Sequence, residues 1–149
     1  MAPARSTAER SSHARARLEA DSNVWVATAS SDGTPHLVPL SLAWIDDQIV
    51  VATAADTPTG RNVIESGKAR AALDSADDVV IIDADARVVL FADAEPSMVE
   101  RYVERVGWDP SNEPGQWALL VLTPTRGQAW IGPAEIAGRT FIRNGTWLS

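Results

Sequence analysis

The stretch VWVATASSDGTPHLVPLSLAWIDDQIVVATAADTPTGRNVIESG, residues 24–67, decides the fold. It holds three β-rich runs, VWVATAS (24–30), PHLVPLSLAWI (35–45) and IVVATAA (49–55), separated by the turn signals SDGT (31–34) and Asp46-Asp47-Gln48. That spacing predicts a β-meander. Both alternating faces of each run are largely apolar, so the sheet is expected to be covered on both sides, as in a closed barrel that also presents an outer face to another subunit. TPTGRNVIESG (57–67) then switches to a helix. Thr57 suits the N-cap, Pro58 the first helical position and Gly67 the C-terminal stop.

Further along, strands are expected at ARAAL (69–73), VVIID (79–83) and RVVLF (87–91), with Asp83 and Asp85 read as turn residues. Ser97 and Glu100 carry the S-x-x-E signature of a capping box, opening a helix that Gly107 ends. Met98, Val99, Tyr102, Val103 and Val106 recur at helical spacing on one face of it. After a polar loop, DPSNEPG (109–115), QWALLVLTP (116–124) reads as a strand continuing towards Ala129-Trp130. RTFIR (139–143) and TWL (146–148) flank Asn144-Gly145, a strong hairpin signal. Upstream, residues 6–20 are rich in Ala, Arg and Glu, and read as one solvated helix that contributes little to folding. No repeat or linker divides the chain, so residues 1–149 are expected to form a single domain.

Composition narrows the function. The chain has 149 residues, 13 Lys+Arg, 20 Asp+Glu and no Cys. An ordinary apolar fraction with net charge −7 excludes disorder for most of it. Without cysteine there are no zinc-thiolate sites, Fe–S clusters, disulfides or Cys nucleophiles. No apolar run approaches the ~20 residues that a bilayer span needs, and no signal-peptide core follows the start, so no membrane partner and a cytoplasmic location are expected. Four arginines and two glutamates fall in the first 20 residues, but the remainder carries 9 basic against 18 acidic groups. An acidic body repels nucleic acid, and none is expected as a partner.

Catalytic constellations are absent. His13 and His36 stand apart, no serine lies in a G-x-S-x-G setting, and neither a metal-ligand pattern nor a nucleotide-binding glycine pattern occurs. Any catalysis therefore falls to a bound organic cofactor. The start of the 58–66 helix offers free N–H groups and the positive end of a dipole, hence an anion site. Thr57 and Thr59 add hydroxyls there, Gly60 admits close approach, and Arg61 adds charge. Among six tryptophans, Trp130, beside Gly132-Pro133, is the least easily explained as core, and an aromatic ring can wall an isoalloxazine.

The order of these elements resembles the pyridoxamine 5′-phosphate oxidase-like split-barrel flavin-binding family. DGTPHLVPLSLAW (32–44), VVATAADTPTGRN (50–62) and VGWDP (106–110) carry the resemblance, and QAWIGPAEIAGRTFIRNGTWL (128–148) is similar to an actinobacterial branch of it. The resemblance implies a mainly β (α+β) fold, an antiparallel split β-barrel of about six to seven strands with a few short helices. It also implies that Val38, Pro39, Leu40 and Ser41 lie along a flavin, with Thr53 near its ring and ribityl chain. Thr57, Pro58 and Thr59 fall on the segment that holds the cofactor phosphate, and Asn62 closes the same motif. Pro58 and Thr59 stand where basic residues are common in the family, so the charge falls to Arg61 or to a partner subunit. The implied function is an oxidoreductase using FMN, or alternatively the deazaflavin coenzyme F-420, to pass hydride to or from a small organic substrate. It would act as a homodimer with its cofactor at the subunit interface. The alternatives are a non-catalytic flavin binder and a split barrel that has lost its cofactor. Oxidation of pyridoxamine phosphate itself needs a second phosphate site, and near the end of the chain only Arg139 and Arg143 are available for one.

Overall fold

Val24, Val26 and Thr28 alternate with Trp25, Ala27 and Ala29, and the computed structural model, which describes residues 3–149, turns the first set inward. They lie on β1 (Asn23–Ala29), which follows helix α1 (Thr7–Ala20). Next come β2 (Pro35–Ser41), β3 (Ala43–Ile45), β4 (Gln48–Ala54), α2 (Pro58–Ser66), β5 (Lys68–Leu73), β6 (Val79–Leu90), α3 (Pro96–Val106), β7 (Trp117–Trp130), β8 (Thr140–Arg143) and β9 (Thr146–Trp147). All pairings are antiparallel, in the order β2-β1-β5-β6-β7-β4-β3, with β8 attached to the second half of β7 and β9 to β8. The fold is a mainly β split barrel.

The run 35–45 closes it. Expected as one strand, it breaks at Leu42, whose N–H donates to Ser22 O at 2.9 Å and whose side chain is fully buried. The first half pairs with β1 and the second with β4, so the two ends of the sheet are joined by a single kinked segment. Val24, Val26, Leu42, Ile49, Leu120 and Phe141 fill the interior. Tyr102, Met98 and Val106 of α3 cover the opposite faces of Val50, Leu119 and Val121. β4 and the first half of β7 are thus buried on both sides, as the double apolar faces require. The outward face of β1 and β2 is not covered: Trp25 is 37% and Leu37 59% exposed.

Three expectations are corrected. Residues 79–90 form one strand, not two. Asp83 and Asp85 point outward from it towards Arg70 and Lys68 on β5, and the only irregularity is a register shift after Asp83. The capping box at α3 does not form, because Pro96 takes the first helical position and Glu95, with no side-chain cap bond, becomes the N-cap. Helix α1 is not simply solvated. Its Arg10, Ala14 and Leu18, spaced four apart on one face, are buried. Arg10 donates to the carbonyls of Arg5 (2.6 Å) and Gly138, and Leu18 joins the barrel core.

Candidate functional site

Helix α2 is placed by its ends. Thr57 Oγ1 accepts from Gly60 N (3.2 Å), donates to Ala54 O (2.8 Å) and lies 3.2 Å from Thr53 Oγ1. Gly67 stops the helix at φ 65, a conformation that suits glycine. Gly60 is needed for packing within the chain. A Cβ there would meet Ala55 O at 2.5 Å, so its missing side chain lets the helix seat on its own preceding turn. Asn62, only 6% exposed, donates from Nδ2 to Thr28 Oγ1 at 3.1 Å and ties the helix to β1.

A cleft of about 580 Å³ opens between α2 and the β1–β2 turn, large enough for a small organic ligand. Pro58, Arg61, Asn62, Ile64 and Glu65 line it from the helix, and Ser30, Thr34, Pro35 and His36 from the hairpin. Arg61 donates to Asp56 O and has no carboxylate partner among the described residues. Ser30 Oγ and the Thr34 amide both donate to Asp32, holding its carboxyl below the usual range and turned into the turn. Among the described residues no three His, Cys, Asp or Glu side chains gather to hold a metal.

The residues singled out from sequence divide into two groups. Thr53, Thr57, Pro58, Thr59, Arg61 and Asn62 come together at the β4–α2 junction. Val38 and Leu40 turn inward and Pro39 outward, while the carbonyl of Ser41 accepts from Tyr102 Oη at 3.1 Å. That phenol is pushed up to about 12 by burial. None of these four strand residues lines the cleft. Trp130 lies at the opposite end of β7 from Ala118, which pairs with Thr53, and its ring packs near Arg139. His36, Ser30 and Thr34 are the residues that sequence reasoning missed. The signal for His36 was its register opposite Thr28, which follows only once the hairpin is paired.

Pro58 contributes no N–H, and the amide of Gly60 is spent on Thr57, so the helix start keeps only the Thr59 amide free among its first three residues. A phosphate is therefore poorly served by the helix start alone. It is better matched by the flank, where Arg61 projects into the cleft.

An antiparallel barrel split between β2 and β3, with a cleft where the helix following β4 packs on the first hairpin, defines a split-barrel protein. The sequence profile of pyridoxamine 5′-phosphate oxidase matches residues 11–131, and the chain belongs to that family. No curated protein gives a significant match. Solved structures share the fold at low identity. A pyridoxamine 5′-phosphate oxidase-related, FMN binding protein from Nostoc punctiforme has TM-score 0.59 and 15% identity, over 79% of this chain and 80% of that one. An F420 reductase has TM-score 0.61 and 17% identity, over 76% and 94%. A heme binding protein from Mycobacterium smegmatis has TM-score 0.67 and 16% identity, over 95% of this chain and 59% of that one. The three differ in what they are named for, so the barrel itself does not select a ligand.

Proposed function

We propose that this protein binds a flavin-type cofactor, FMN or a deazaflavin, in the cleft between α2 and the β1–β2 turn. With it, the protein passes hydride to or from a small organic substrate in the cytoplasm. The cleft carries the reading. It combines one guanidinium without a carboxylate partner, one nearly buried amide and the apolar walls Pro35, Pro58 and Ile64, the mix that a ring bearing a polar, anionic tail requires. The cofactor supplies the redox chemistry, and the chain supplies binding and orientation. Arg61 attracts the anion, Asn62 Oδ1 accepts from a hydroxyl or ring N–H, and the two prolines exclude water from one side.

Trp25 and Leu37 are exposed on the face of the β1–β2 hairpin opposite to that of Thr28 and His36. A second copy of the chain covering that face would form a homodimer. Family membership and the FMN- and F420-named neighbours support a flavin-type group over others. The self-satisfied start of α2 favours one competing reading, a barrel that has lost its cofactor.

The test is the visible spectrum of the purified protein after adding FMN and then a deazaflavin, followed by stopped-flow mixing with reduced nicotinamides and candidate substrates. A bound, reducible cofactor is expected. Binding without any redox change would leave a flavin carrier, and binding of neither would leave the lost-cofactor reading.

A further inference from the structure

A second, smaller cavity of about 240 Å³ lies where the loop between α3 and β7 folds over the end of β6 and the start of β7. Phe91 and Trp117 stand opposite each other there. Phe91 N donates to Trp117 O at 3.2 Å, one step beyond the Leu90–Ala118 pair. Both side chains line the cavity, together with Pro110, Glu113 and Gly115 of the loop. The indole N–H groups of this corner are spent on the same loop: Trp117 Nε1 donates to Pro114 O at 3.1 Å, and Trp108 Nε1 to Glu113 Oε1 at 3.5 Å. Trp108 also packs edge-on against Trp117, with ring centroids 5.1 Å apart and planes at 83°. Within the loop, Asp109 accepts from Ser111 N at 2.9 Å and from Ser111 Oγ at 2.6 Å, and Glu113 N donates to Pro110 O at 3.0 Å. The walls are therefore set by bonds within the chain, before any ligand arrives.

We propose that this cavity binds the trimethylammonium group of a small solute, a compound of the choline type, independently of any cofactor in the cleft at α2. Its volume falls below the roughly 300–1,000 Å³ of pockets that enclose whole organic ligands, so it suits a compact headgroup and excludes a flavin ring. Glu113 is the one charged side chain lining it among the described residues, and Asp93 and Asp109 adjoin the lining residues Ala92 and Pro110 in the chain. That local charge repels anions and attracts cations. With the indole N–H groups spent, Phe91 and Trp117 offer the cavity their π-electron surface, to which a cation is drawn. A primary ammonium is strongly hydrated and brings three N–H donors that need acceptors, whereas a quaternary one brings none. A neutral apolar group of the same shape would leave the Glu113 carboxylate without a task.

The experiment is a titration of the isotope-labelled whole chain with choline at constant ionic strength, followed at the tryptophan indole N–H signals. Two further probes are ethanolamine, the primary-ammonium analogue, and the uncharged isostere in which a tert-butyl group replaces the trimethylammonium. Choline is expected to shift the Trp108 and Trp117 signals saturably in the millimolar range, and both other probes to bind at least about 10-fold more weakly. Glu113→Gln, at an exposed position, is expected to weaken choline about 2- to 5-fold and to leave the isostere unchanged. Phe91→Leu, which keeps apolar bulk but removes a ring, is expected to weaken choline about 3- to 30-fold. Equal binding of choline and its isostere shows an apolar pocket only and overturns the proposal. Equal binding of ethanolamine overturns the trimethylammonium assignment. Choline shifts that do not saturate, or that centre on Arg61 and Asn62 instead, overturn the site. Co-sedimentation of the protein with phosphatidylcholine vesicles overturns the small-solute source. Each of these results leaves the flavin-type reading of the cleft as it stands.

Discussion

Arg61 reaches back to Asp56 O with one nitrogen and leaves the rest of its guanidinium to the cleft. It does not pair with Glu65 four residues on, so truncating it removes little that the fold uses. Arg61→Ala is expected to weaken FMN binding about 10- to 150-fold and to leave the melting temperature unchanged, as titration and thermal melts will show. Glu135, 3% exposed, behaves in the opposite way: it serves the fold and not the ligand. It accepts from Arg5 N, Nε and Nη2 and from Ile131 N, and these bonds, Arg5's side chain first, hold its carboxyl down to about 2 against an ordinary 4.5. A carboxyl whose folded value is depressed stabilises fully above its unfolded value and loses that contribution as pH falls through the folded one. The stability gap between wild type and Glu135→Gln should therefore be constant above about pH 5 and close between pH 4.5 and pH 2, measured by urea unfolding across that range. No sequence pattern announced this carboxylate. Arg5 and Glu135 are 130 positions apart and meet only after the barrel closes.

Helix α1 shows where local reading fails at the level of elements. Its Ala-rich composition makes the helix itself legible, and the structure adds a capping box between Ser6 and Glu9 at its start. Its buried face was not legible, because Arg10, Ala14 and Leu18 make no hydrophobic stripe. Arg10 is buried through carbonyl acceptors that belong to tertiary structure. Leu18→Ala should cost about 2–5 kcal/mol, as for other fully buried leucines, and lower the melting temperature by roughly 5–15 °C. A shift within 2 °C would show that α1 is only loosely attached. The break at Leu42 and the continuity of β6 were missed for related reasons. A kink that lets one run pair at both ends of a sheet has no local signal, and aspartates alternating with alanines look like turns until Lys68 and Arg70 stand opposite them. By contrast, α2 was readable in full, since Thr57, Pro58 and Gly67 act through bonds within the helix and its caps.

For the whole molecule, the uncovered face of β1 and β2 is the surface on which the proposed homodimer would form. Pro39 stands beside Trp25 and Leu37 beside Ala27, so the side of the first hairpin turned away from Thr28 and His36 is an apolar surface. Such patches on soluble proteins mark interaction sites. The protein is expected to sediment as a dimer of its 16.0 kDa chain, and the double variant Trp25→Arg, Leu37→Arg as a folded monomer with weakened cofactor binding. A wild-type monomer at micromolar concentration would contradict the assembly. The barrel was legible from strand spacing and element order, and the β4–α2 junction from its caps. The hairpin side of the cleft was not, because it depends on which residues pairing brings beside α2. The central claim, a flavin-type cofactor in that cleft, is tested most directly by amide chemical-shift mapping of the labelled protein during titration with FMN and, separately, a deazaflavin. Saturable shifts are expected, with a dissociation constant tighter than about 100 μM (roughly 5.5 kcal/mol), concentrated at Ser30, Thr34, His36, Arg61 and Asn62. Shifts centred instead on Trp130 and Arg139, or no saturable shift with either cofactor, would contradict it.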